Sequence, residues 1–87
     1  MPPITLAEAK AFLRVTDAAE DALIQLLIEA ATERVELAVG VVLTDPAPSP
    51  LRLAILMLVA HAYEHREGEV PAALIEPWLA PYRSARL

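Results

Sequence analysis

The chain has 87 residues, a formal net charge of −5, 56% apolar residues by the AVILMFWYC count, two glycines and no cysteine. A chain of that length holds one small domain, and the lack of cysteine excludes disulfides and thiolate metal sites. The seven basic residues are scattered from Lys10 to Arg86 without a run, so neither a DNA-binding face nor a face for anionic membrane is expected. The start, Met1-Pro2-Pro3-Ile4, carries no basic region followed by an apolar core, so no secretory signal is expected and synthesis in the cytoplasm follows.

Thr5 followed by Glu8 is a capping-box pattern, and Leu6, Ala9, Phe12 and Leu13 then recur at helical spacing, which predicts a first helix over 6–13. Asp17 and Glu20 repeat the device and predict a second helix over 18–39, stopped by Gly40 in the left-handed conformation that ends helices. The segment GVVLTDPAPS has no helical period and reads as a loop, with a short extended piece at 41–43. Ser49 and Pro50 then supply an N-cap and a first-turn proline for a third helix over 50–66. Gly68 ends it, and Pro71 opens a short fourth helix over 72–80 in which Pro77 is expected to make a break or a tight turn, because proline removes a backbone donor and crowds the preceding turn. Residues 81–87 form a tail. The fold class is all-α: a long antiparallel pair, 18–39 and 50–66, flanked by short helices.

The third helix opens with LRLAILMLVA, apolar on every side, so other protein must wrap it. At this length it is far short of the roughly 20 residues that cross hydrocarbon. The second helix carries two apolar stripes. One holds Leu23, Leu26, Leu27, Ala30, Ala31, Leu37 and Ala38; beside it lies a β-branched stripe of Ile24, Ile28, Val35 and Val39. If helices 1 and 3 cover the first stripe, the second is left for helix 4 or for a neighbouring subunit. Glu29, Glu33 and Glu36 belong to a narrow acidic strip expected to face solvent. Arg34 falls on the first apolar stripe, where an arginine reaches to the edge or pairs with an acid.

Candidate chemistry is sparse. His61, Glu64 and His65 match the H-x-x-E-H pattern, in which two histidines on one helix face ligate zinc while the glutamate serves as general base. Such a site also needs a third protein ligand and a cleft, for which only Glu67, Glu69 and Glu76 are at hand. Thr5, Thr16 and Ser49 are absorbed as cap and turn residues, and two glycines cannot build a phosphate loop. A helix-turn-helix reading fails on the acids between Asp17 and Glu36. No catalytic residue, metal or cofactor is therefore expected. The remaining cluster is Trp78, read as a core anchor, with Tyr82, Arg83, Arg86 and Leu87, aromatic and arginine types that contribute most at interfaces.

Four pieces in order, ITLAEAKAFLRV, DAAEDALIQLLIEAATERVE, LRLAILMLVAHAYEHRE and VPAALIEPWLAPYR, resemble the small head-to-tail connector, or adaptor, proteins of long-tailed phages, prophages and gene transfer agents. Family members often carry a longer segment where this chain has Val39, Gly40, Val41 and a compact proline loop. The resemblance implies a structural protein of the virion neck, made in the bacterial cytoplasm. Copies would form a ring, typically a dodecamer, beneath the portal protein, extend the DNA channel without binding DNA specifically, and carry the stopper or tail-completion protein. On that reading Ile24, Ile28, Val35 and Val39 are expected at subunit contacts. Glu29, Glu33 and Glu36 are expected toward the lumen or solvent, and Tyr82, Arg83, Arg86 and Leu87 on the portal. The competing readings are a small zinc-binding protein using the histidine pair and a helical regulatory or scaffolding module that dimerises through helix 2.

Overall fold

The computed structural model describes residues 3–44, 46–65 and 75–82. Four α-helices stand in chain order among them: α1 (Leu6–Leu13), α2 (Asp21–Val39), α3 (Ser49–Glu64) and α4 (Glu76–Leu79), the last running into a 3-10 turn over Ala80–Tyr82. No strand occurs among the described residues, and α2 packs most extensively on α3, with α1 and α4 closing over the pair. The all-α bundle with a long central pair is the architecture the periodicity predicts.

α1 is capped at both ends by local chemistry. The Thr5 hydroxyl accepts from the Glu8 N–H at 3.1 Å, and the Glu8 carboxylate accepts from the Thr5 N–H at 2.9 Å, the reciprocal box that satisfies two orphan donors. Arg52 on α3 binds that same Glu8 carboxylate and donates through Nε to the Pro3 carbonyl, so the first residues are tied to the third helix and Ile4 is fully buried. The Thr5 amide, followed by the Arg52 guanidinium, holds the Glu8 carboxyl below its ordinary value against partial desolvation. At its far end α1 closes in a Schellman arrangement: Arg14 N–H donates to Ala11 and Val15 N–H to Lys10. Arg14 occupies the left-handed position with φ 62°, where glycine is usual.

α2 begins at Asp21, three residues later than the Asp17 and Glu20 pattern predicts. Asp17 folds back on the Ala19 N–H in a turn of its own, and Glu20 accepts instead from the Tyr63 hydroxyl of α3 at 2.5 Å. A tertiary partner thus takes the acid that the local rule assigned to capping. Lys10 bridges to Asp21 at 2.8 Å, setting the end of α1 beside the start of α2.

α3 begins at Ser49 rather than after it: Pro48 is the N-cap, and its carbonyl accepts from Leu51 and Arg52. From Leu51 to Tyr63 every residue is buried or half-buried, with Leu51, Ala54, Ile55, Leu58 and Val59 innermost, so this helix is wrapped as its sequence requires. Pro77 follows a turn at Ile75 and stands at the start of α4, so the chain turns where a break or a tight turn is expected. The proline lies in the first turn, where a missing N–H costs nothing, and Ile75 and Leu79 rather than Trp78 anchor the element in the core. Trp78 is 38% exposed. α3 ends at Glu64, two residues before the expected Arg66, with His65 out of helical conformation and its N–H donating to the His61 carbonyl; the expected start of helix 4 near Ala72 lies outside the described residues.

Candidate functional site

The bundle's core decides which side of α2 remains for other molecules. Ile24, Ile28, Val35 and Val39 are each 2% exposed or less, packed with Ile4, Ile55, Val59 and Leu79 in one cluster. They cannot meet a neighbouring subunit, which corrects the expectation that this stripe forms the contact between copies. The physical reason lies in the width of the apolar arc on α2. Combined, its two stripes span more than half the helix circumference, twice the roughly 100° a core-facing helix needs, and periodicity alone does not say which edge turns inward. The four β-branched residues, each nearly fixed in one side-chain rotamer on a helix, take the centre of the core.

The first stripe is consequently split. Leu27, Ala31 and Ala38 lean into the bundle, whereas Leu26, Ala30 and Leu37 project from its outer side, Leu26 60% and Leu37 85% exposed. Glu33 sits between Ala30 and Leu37 on that outer ridge, and Glu29 beside it is exposed as well. Glu36 departs from the expected acidic strip: half-buried, its Oε2 accepts from the Leu43 N–H at 2.7 Å.

That bond shapes the end of the helix. Gly40 takes φ 80° and donates to the Glu36 carbonyl at 2.8 Å, the chain reverses, and Glu36 holds the returning backbone so that Leu43 is buried. Val41 and Val42 are left outside, 55% and 82% exposed. Together with Leu37 and Gly40 they line an open groove of about 400 Å³, and the carboxylates of Glu33 and Glu36 complete its wall. A compact chain with an otherwise complete core thus presents a run of large aliphatic side chains edged by acids. Of the residues expected on a partner, Tyr82 is 36% exposed in the 3-10 turn, while Arg83, Arg86 and Leu87 lie outside the described residues.

The histidine pattern at the end of α3 assembles differently from a zinc site. The rings of His61 and His65 stack with centroids 4.5 Å apart, and Nδ1 of His65 lies 3.2 Å from the His61 carbonyl. Stacked rings do not converge on a common ion, and Glu64 is exposed. Among the described residues no group of three or more histidines and acids is placed to hold a metal, and no described helix is long and apolar enough to cross a membrane.

The exposed aliphatic face is partly legible in sequence: the spacing groups Leu26, Ala30 and Leu37 as apolar but does not say that they point away from the core, and Val41 and Val42 read as loop until the Gly40 reversal sets them beside Leu37.

No curated protein and no solved structure matches the chain. The family model described as phage gp6-like head-tail connector protein matches residues 3–75, which take in α1, α2, the groove loop and α3. The chain therefore belongs to the phage gp6-like head-tail connector family.

Proposed function

We propose that this connector works as a ring of identical copies, typically a dodecamer, seated beneath the portal protein of a tailed phage or phage-like particle, where it extends the DNA channel and presents a platform for the stopper or tail-completion protein. The role is structural, with no bond made or broken. The observation that carries it is the outer face of α2 and its loop: Leu26, Leu37, Val41 and Val42 stay 55–85% exposed although the chain has a filled core of its own. Leu37, Val41 and Val42 line one groove, and exposed aliphatic surface gathered in this way marks contact sites. Identical subunits joined through two different surfaces close into rings.

Two further assignments rest on the same reading. Glu29, exposed on α2, faces the channel or solvent, where a carboxylate gives a passing polyanion nothing to bind. The segment after Pro81, with Tyr82, Arg83, Arg86 and Leu87, docks on the portal. The test is reconstitution with the portal ring from the same particle, followed by mass measurement of the complex. A defined multiple of copies bound per portal is expected, lost when residues after Pro81 are deleted while the helical content of the free chain is kept. A portal that binds no copies, or that binds the truncated chain equally well, contradicts the respective assignment.

A further inference from the structure

A second exposed feature lies at the opposite end of α2 from the groove. α1 ends in Phe12, 43% exposed although its spacing predicts an inward position, and in the left-handed Arg14, also exposed. The Arg14 side chain makes no ion pair or hydrogen bond among the described residues, whereas Lys10 and Arg52 are both paired. An exposed aromatic residue and an exposed arginine at one helix end are the residue types that contribute most at interfaces. The groove at the other end has the matching chemistry: aliphatic walls from Leu37, Val41 and Val42, an acidic wall from Glu33 and Glu36, and about 400 Å³ of room.

The two features are too far apart to meet within one chain. The bridge from Lys10 to Asp21 holds the end of α1 at the first residue of α2. From Asp21 to Leu37 the helix rises about 24 Å at 1.5 Å per residue. We propose that the groove receives a second copy of this chain, with Phe12 of one copy seated against Leu37, Val41 and Val42 of the next and Arg14 paired with Glu33. The contact joins two unlike surfaces, so each copy offers a free knob and a free groove, and the series either closes into a ring or continues as a filament. Glu33 thereby leaves the channel-facing set and becomes part of the joint. The positive φ of Arg14 fits this use: a glycine there would cap α1 with less strain and would bring no charge. The inference deepens the ring reading by naming its joint, and it stands on the charge and shape of this chain alone.

The absence of cysteine makes the test clean. Ala11→Cys and Thr44→Cys, both at exposed positions flanking the knob and the groove, are made in separate full-length chains, mixed in equal amounts and oxidised at high concentration. A mixed disulfide well above its statistical share is expected. Arg14→Glu in the Ala11→Cys chain should reduce that excess about tenfold, since it sets like charges together, and Glu33→Arg in the Thr44→Cys chain should restore it. Circular dichroism of each variant verifies folding, and the paired reversal distinguishes a broken joint from a broken fold. A mixed disulfide at its statistical share, or charge variants without effect, overturns the joint. Portal binding measured in parallel separates the two ideas: a chain that binds the portal without this cross-link keeps the connector reading and loses the joint, and a chain that cross-links but ignores the portal does the reverse.

Discussion

On α2, the face bearing Ile24, Ile28, Val35 and Val39 is 2% exposed or less, while the face bearing Leu26 and Leu37 is 60% and 85% exposed. Both are aliphatic, and both recur at helical spacing. The inner face folds the chain; the outer one, on the reading above, is left for a neighbour. A domain this small cannot bury every apolar residue it carries. α3 shows the contrast within the same molecule, because it has no exposed residue from Leu51 to Tyr63. α3 packs on α1, α2 and α4, and α2 packs on α1, α3 and α4, yet α2 keeps Leu26 and Leu37 outside these contacts.

A matched pair of truncations separates the two faces. Ile28→Ala removes a fully packed side chain and should cost about 2–5 kcal/mol, lowering the melting temperature by roughly 10–30 °C in a domain of this size. Leu37→Ala should change stability by no more than about 0.5 kcal/mol, since it touches little within its own chain. Calorimetry of the two variants checks both, and equal destabilisation would mean that α2 has no free face. Arg14→Gly relieves a left-handed non-glycine residue and should raise stability by about 1 kcal/mol in thermal melts, while weakening the contact between copies. A stabilised chain that associates as well as before would detach Arg14 from the joint.

The smallest expected effect is a pH dependence. Glu8 is held below its ordinary value of 4.5 in the folded chain, so the stability it contributes is complete above that pH and is lost as the pH falls through the lower folded value. The stability difference between the parent and Glu8→Gln should therefore shrink on acidification below 4.5 in denaturant titrations. Because Glu8 and Arg52 secure the segment holding Ile4, this acts on the inward side alone, and cross-linking between copies above that pH should not change.

Local chemistry made much of the architecture readable. The Thr5 and Glu8 box, the Gly40 stop and the proline-rich loop each act within a few residues, so the spans of α1 and the end of α2 follow from spacing alone. Where a distant partner intervenes, spacing fails: Glu20 is recruited by Tyr63, and α2 starts late. The exposed face of α2 is harder still to read. Two stripes of similar hydropathy compete for one core, and the choice depends on where α1, α3 and α4 lie. Glu36 shows the same limit, because its bond to Leu43 exists only once Gly40 has turned the chain.

Side-chain labelling by hydroxyl radicals, applied to the free chain and to the assembled neck, reads both faces of α2 at once. Leu26, Leu37, Val41 and Val42 should be labelled in the free chain and protected on assembly, while Ile24, Ile28, Val35 and Val39 stay unlabelled in both. Equal labelling of the four outer residues before and after assembly would contradict the division of α2 into a folding face and a joining face.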